Sequence, residues 1–276
     1  MSSLTGILDM KIEAIAGWAQ LLIYVAILIF MVAIAFWRKW LTRSGLGAAF
    51  FVGLFTLYLG GFSAFSILLF FFISGSLLAK VVKKDNPLEK KSNKRDAFQV
   101  LANSLPALIA LLLYRYSGHP IASIVAFSSS LSEALADTWS GDIGRLSNKD
   151  TVSIITFTKV PKGISGGVTP LGFLAGFIAS MLVALLHIGT FGYHLYSSFI
   201  TVLFTGFLGS VLDSILGATV QVHYRDKNGC LTEKSESDGE KLERVRGIPF
   251  IDNDVVNLIS GLFSMTLSFS LGVLVF

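Results

Sequence analysis

The sequence predicts an all-α fold: a polytopic helical membrane protein with about eight (7–8) transmembrane helices, residues 1–276 forming a single membrane domain. Three observations predict it. The chain is 53% hydrophobic and only 14% charged, with a mean hydropathy of +0.69, where a soluble domain carries about 25% charged residues. Its apolar residues gather in runs, most of them near the length that a spanning helix needs, about 17–25 residues. Lipid offers the backbone no hydrogen-bond partner, so such runs must satisfy themselves as helices, and they are too long and too uniformly apolar for barrel strands. Finally, 20 of the 22 Lys and Arg fall in four alternate connections, at 38–43, 80–95, 145–162 and 225–246. Cytoplasmic loops carry excess Lys and Arg. This pattern therefore places the basic loops in the cytoplasm and both termini outside, with a bacterial plasma membrane as the expected location. The isoelectric point near 9.1 arises from these loops. It reads as orientation and contact with anionic headgroups or phosphates, with no nucleic acid expected as a partner. A single cysteine, Cys230, excludes an intrachain disulfide and a Cys-rich metal site.

The elements follow in order. Residues 17–37 exceed the usual signal-peptide core of about 7–15 residues and lack a small-x-small cleavage site, so they read as a retained helix. Runs 46–60 and 62–79 are divided by Gly60-Gly61 and are either two spanning helices or a re-entrant pair. Residues 80–96 form a basic cytoplasmic loop along the headgroups. Run 97–114 opens with Gln99 and Asn103, which share a helix face. They could bond a phosphate, orient metal ligands, or bond neighbouring helices.

Run 120–140 carries the strongest chemistry: Glu133, Asp137 and Asp142. Glu133 and Asp137 lie one turn apart on one face. The helix is expected to end at Gly141, with the following loop swinging Asp142 back. An acid at a helix centre costs about 2.5–3.5 kcal/mol to insert, and acids this dense are hard to bury without a cation. Mg²⁺ suits such an oxygen-only set and usually shares its coordination with substrate phosphate.

Residues 141–166 read as a Gly-rich cytoplasmic active-site loop with a β-like stretch at 151–158. It ends in Lys159, Lys162, Gly163, Ser165, Gly166 and Gly167. Glycines let backbone N–H groups approach an anion, and the next helix points its positive end at the same place. The physics is that of a phosphate cradle, without the Walker order of residues. In run 167–188, Gly172 and Gly176 read as close helix packing. Run 193–216 ends near Asp213. The polar cytoplasmic loop 221–250 reads as a mobile surface excursion with no chemistry. Run 252–276 opens with Asp252, a helix cap, then Asp254 and Asn257 on a shared face. The four His residues are scattered, with no metal-ligand spacing.

These segments carry a resemblance. Gln99-Val-Leu-Ala-Asn103, Glu133-Ala-Leu-Ala-Asp137-Thr-Trp-Ser-Gly-Asp142, Lys159-Val-Pro-Lys162-Gly-Ile-Ser165-Gly-Gly167, Asp213-Ser-Ile-Leu-Gly217 and Asn253-Asp254-Val-Val-Asn257 stand in that order. They resemble the integral-membrane family of transmembrane protein 19 and the plant and cyanobacterial phytyl-phosphate kinase, from about residue 40 to the end. Loop 221–250 departs from members that carry several cysteines there. The resemblance implies phosphorylation of an isoprenyl monophosphate to the diphosphate by a nucleoside triphosphate (CTP or ATP). Phosphoryl transfer needs positioning and charge neutralisation. The acceptor phosphate is largely ionised at neutral pH, its second pKa being about 6, so no strong base is required.

On this reading Asp137, Asp142, Lys159 and Glu133 are the expected catalytic residues. Asp137, Asp142, Asp213 and Asp254 are expected to hold Mg²⁺, with Glu133 as ligand or support. Lys159, Lys162 and the Gly163–Gly167 backbone are expected to bind phosphates, and Gln99, Asn103 and Asn257 to orient groups. The expected partners are the lipid bilayer, an isoprenyl monophosphate and the nucleotide. Two other classes fit in part. Intramembrane acids also mark ion-coupled transporters, and a Mg²⁺-dependent, CTP-using lipid-phosphate transferase would use similar metal chemistry.

Overall fold

The structure, a computed structural model, describes residues 4–13, 17–82, 94–192, 194–227, 229, 231–237 and 240–276. Its helices are α1 (Leu4–Glu13), α2 (Gly17–Trp37), α3 (Arg43–Val82), α4 (Ala97–Tyr116), α5 (Pro120–Gly144), α6 (Pro170–Phe191), α7 (Leu195–Thr219) and α8 (Asn253–Val275). By length and composition, α2, α3, α4, α6, α7 and α8 can each cross a membrane.

The two runs expected at 46–79 form one element, α3, broken at Gly61 (φ 67°, ψ −165°). Drawn straight, α3 would measure about 60 Å. Its ends instead meet: Trp40, just before α3, lies 5.8 Å from Lys80 Nζ and 5.7 Å from the Phe72 ring. It is therefore a helical hairpin with both feet at one end of the molecule. The return arm starts with unsatisfied amides, and α1 supplies the cap. Asp9 accepts from Phe62 N (2.6 Å), Ser63 N (3.2 Å) and Ser63 Oγ (2.9 Å). Gly61 suits this corner because its φ lies in the left-handed region and a Cβ there would stand 2.5 Å from Asp9 Oδ1.

α5 runs through the middle and packs against α3, α4, α6, α7 and α8. Its buried face is built of small residues, Ser128, Ser129, Ser132, Ala134 and Ala136 among them, which let neighbouring backbones come close. Glycines answer from the other side: a Cβ on Gly209 of α7 would lie 2.6 Å from Glu133 Cγ. Enclosure by the other helices is what allows so polar a helix inside an apolar bundle.

The described parts of the basic segments collect at one end. Thr42 N donates to Arg95 O (3.0 Å) and Arg95 N to Trp40 O (3.2 Å), while Gln221 Nε2 reaches Ser165 Oγ (3.0 Å). Of the basic loop 80–96, residues 83–93 lie outside the described residues. The β-like stretch at 151–158 reduces to β1 (Val152–Ser153), paired antiparallel with β2 (Gly167–Val168). Loop 221–250, expected as a structureless excursion, is a small β cap. β3 (His223–Arg225) pairs with β4 (Leu231–Thr232) and β7 (Glu243–Arg246), and β5 (Glu236–Ser237) with β6 (Glu240–Lys241). His223 is fully buried in this cap. Its Nδ1 faces the Gln221 carbonyl at 2.9 Å and its Nε2 lies 3.4 Å from Arg246 Nη2. Burial, with Arg246 beside it, pushes the imidazole down to about 4.

Candidate active site

A cleft of about 500 Å³ opens at the end where the basic segments meet. Its acidic wall comes from three helices. Asp137 of α5 and Asp213 of α7 meet at hydrogen-bond distance. Carboxyl groups so placed hold together only with a shared proton or a cation between them. Behind them the Ser260 hydroxyl of α8 sits 2.8 Å from Glu133 Oε1 and 3.0 Å from Asp213 Oδ2. Its single proton serves one of the two at a time. Asn257, with its amide oriented to satisfy its neighbours, donates to Asp213 Oδ2 (2.9 Å) and to Asn253 O (3.2 Å). Asp254 lines the same wall. Asp252 caps α8 as expected, accepting from Asp254 N (3.2 Å) and Val255 N (3.3 Å).

Asp142 also lines the cleft, but on a helix and not in a loop. α5 continues to Gly144, since α6 docks on its last turn. The Thr169 hydroxyl, which caps α6 through Gly172 N (3.1 Å), also donates to Gly144 O (3.3 Å). A Cβ on Gly144 would lie 3.3 Å from Gly172 Cα. Five residues of helix turn Asp142 away from the Asp137 face and toward cations. Arg145 Nη2 is 3.8 Å away, and its charge acts on Arg95.

The cationic side differs from the expected one. Lys159 lies outside the cleft, exposed and 2.6 Å from Asp150 Oδ2, which holds its ammonium above the usual range. Its backbone forms an antiparallel bridge with Val152. Lys162 is likewise off the cleft, its Nζ 2.5 Å from Ser147 O. Lys39, Lys80, Arg95 and Arg145 line the cleft instead. Arg95 lies inside it, 5.8 Å over the Phe71 ring. Burial lowers its pKa against the opposing pull of Asp142, yet an arginine stays charged at any ordinary pH.

The Gly-rich loop lines the cleft at Gly163, Ser165, Gly166 and Gly167, but its amides are in use. Ser165 N donates to Glu233 Oε1 (3.2 Å) and Gly167 N to Ile164 O (3.0 Å). Gly166 (φ +79°) presses on the backbone of Ala218, where a Cβ would collide. Gly166 thus serves packing against α7, and Gly167 packs within the loop, where a Cβ would lie 2.8 Å from Thr151 Cγ2. The Ser165 hydroxyl donates to Glu233 Oε1 (2.5 Å) and accepts from Gln221 Nε2 (3.0 Å). Gln99 and Asn103 face the cleft while bonding locally. Gln99 closes a capping box with Asp96 (3.0 and 3.2 Å), and Asn103 Nδ2 donates to Gln99 O (2.8 Å).

Of the residues expected from the sequence, the cleft thus gathers Gln99, Asn103, Asp137, Asp142, Gly163, Ser165, Gly166, Gly167, Asp213, Asp254 and Asn257. Glu133 is buried directly behind it, and Lys159 and Lys162 are off it. Lys39, Lys80, Arg95, Arg145, Gln221 and Glu233 are among the additions. Arg95 carried one usable signal, as the last cation before the Asp96–Gln99 capping box. Gln221 and Glu233 carried none. Among the described residues no three His, Cys, Asp or Glu side chains converge as a ready-made metal cage. The donor set still fits a hard cation such as Mg²⁺, since it is all oxygen and holds two carboxyls in contact. Mg²⁺ commonly takes only one or two protein carboxylates and keeps water or phosphate in its other positions.

Comparison with known proteins gives consistent matches. The family described as integral membrane protein DUF92 matches residues 26–265. An uncharacterised membrane protein of Methanocaldococcus jannaschii is 34% identical over 209 residues, covering 71% of this chain and 82% of the relative. Protein PGR of Arabidopsis thaliana is 30% identical over 270 residues, covering 87% and 91%. Protein VTE6, chloroplastic, of the same plant is 27% identical over 229 residues, covering 80% of this chain and 62% of that protein. No solved structure matches.

Proposed function

Because the chain belongs to the DUF92 family of integral membrane proteins, we propose that it is an isoprenyl-phosphate kinase, acting on a phytyl- or geranylgeranyl-type monophosphate at the cytoplasmic face. The observation that carries this reading is the two-sided cleft: Asp137, Asp142, Asp213 and Asp254 face Lys39, Lys80, Arg95 and Arg145 at the end of an apolar bundle. The sequence resemblance to phytyl-phosphate kinase supports it, as does the similarity to VTE6. An acceptor with a hydrocarbon tail and a phosphate head suits such a boundary.

In the proposed reaction an oxygen of the isoprenyl phosphate attacks the γ-phosphorus of CTP or ATP. The bond from that phosphorus to the β–γ bridging oxygen breaks, and the nucleoside diphosphate leaves with its electron pair. Arg95 and Arg145 would hold the phosphates, and the carboxylates of Asp137 and Asp213, with Asp142 and Asp254 beside them, would hold Mg²⁺. When bound, that ion neutralises phosphate charge. Glu133 and Ser260 fix the Asp213 carboxylate from behind. Asn257 does the same from the side.

The test is transfer by the purified protein from γ-labelled CTP or ATP, with Mg²⁺, to geranylgeranyl monophosphate. Label in the diphosphate, abolished by EDTA and reduced about 10²–10³-fold in a folded Asp137→Asn variant, is the expected result on the scale of lost charge stabilisation. No transfer to any isoprenyl monophosphate, together with substrate flux across sealed vesicles, would replace the kinase reading with a transporter.

A further inference from the structure

Beside the polar cleft lies a second, narrow cavity of different character, walled by α2, both arms of the α3 hairpin and the first turns of α4. Leu28, Ala35, Ala49, Gly53, Phe65 and Val100 form its apolar lining. Its polar atoms come from one end. Arg95, Gln99 and Asn103 line this slot and the cleft alike. From Ala35 to Leu28 it runs seven residues along α2, about 10 Å of depth. α2 packs on the hairpin and on α1 but shares no substantial interface with α4 among the described residues, and this flank is where the slot could admit a chain. Gly53 lets α3 pack directly on α2, since a Cβ there would stand 2.5 Å from Leu28 Cδ2.

A half-buried guanidinium at the mouth of an apolar slot selects a ligand with both characters. We propose that this slot seats the hydrocarbon tail of a single-chain amphiphilic monophosphate entering sideways from the bilayer, with Arg95 receiving its phosphate where slot and cleft join. This rests on the kinase reading for the identity of the ligand, but not for its location. A lone acyl tail would make no use of the Arg95 guanidinium, which shares the cleft with Asp142. A free phosphate would leave the slot unused. The slot also assigns Ala49 as a specificity-determining residue: it lines the slot and is remote from the reacting atoms.

The experiment uses the full-length protein in lipid nanodiscs without nucleotide, so transfer is not needed for a result. Binding of farnesyl monophosphate, inorganic phosphate and phosphatidic acid is compared in wild type, Ala49→Phe and the small-residue control Ala49→Ser. The expected result is farnesyl monophosphate bound at least tenfold more tightly than the other two, an advantage lost in Ala49→Phe and kept in Ala49→Ser. Equal binding of all three probes, or unchanged farnesyl binding in Ala49→Phe, overturns the slot. If Ala49→Phe does not fold, wild type is labelled with a prenyl phosphate carrying a diazirine on its tail. Label on Leu28, Val52 or Phe65 upholds the proposal, and label confined to lipid-facing positions such as Phe30 or Phe51 overturns it. Binding in the slot without transfer from any nucleotide would sink the kinase reading alone.

Discussion

Arg95 and Lys159 invert the weight that sequence position gives them. Lys159 stands beside the Gly-rich loop but spends its charge on Asp150 at the surface. Arg95 sits in a run of basic residues that any membrane protein would carry for orientation, yet its guanidinium enters the cleft. Arg95→Gln should therefore lower transfer by about 10²–10³-fold, the scale of losing one preorganised charge, and Lys159→Gln by far less. Steady-state rates of the two variants compare them directly. His223 gives a pH signature of its own. Its folded pKa, about 4, lies below the usual 6.5, so folding holds it neutral. The stability this contributes is complete above about pH 6.5 and is lost as the pH falls toward 4. Melting temperature should drop across that window, and His223→Gln should flatten the drop.

Among the elements, the α3 hairpin shows what was legible and what was not. Gly60-Gly61 marked a break because no other residue pair so readily abandons a helix. Nothing local announced that Asp9, 53 residues away from Phe62, would cap the return arm. Caps in trans leave no spacing to read. Asp9→Ala should cost about 1 kcal/mol, a typical N-cap loss, and Gly61→Ala more, because it adds backbone strain and a clash with the Asp9 carboxylate. Thermal unfolding in one detergent orders the two. The acids of α5, α7 and α8 were legible, since a carboxylate in an apolar run demands explanation. Polar residues in the polar loop 221–250 raised no such demand, and Gln221 and Glu233 could be found only once β3 and β4 folded over Ser165. Asp142 was named but misplaced, because the support that prolongs α5 past Gly141 comes from Thr169 on another element.

At the scale of the whole molecule, the alternation of basic loops carried most of the architecture. It says which connections share a side, and the structure gathers Trp40, Lys80, Arg95, Arg145 and the β cap around one cleft. α8 runs from that end to Phe276, which packs on His194 at the other (5.0 Å between rings). If the basic side is cytoplasmic, a reporter fused after Phe276 lies outside, and single cysteines placed at Lys39 and Arg145 in a Cys230→Ser background react only with the inner face opened. A cytoplasmic reporter would reverse the orientation and move the mouth of the cleft to the outer side.

The enclosure of α5 bears on how such a protein is made. Its serines and its three acids, Glu133, Asp137 and Asp142, make it a poor candidate for entering lipid alone, since an acid opposes insertion by up to about 2.5–3.5 kcal/mol at a helix centre and by less toward the end where these lie. The helices that cover it on three sides, α6, α7 and α8, are synthesised afterward. The order of synthesis and the order of burial therefore differ: α5 is made before the helices that enclose its carboxylates.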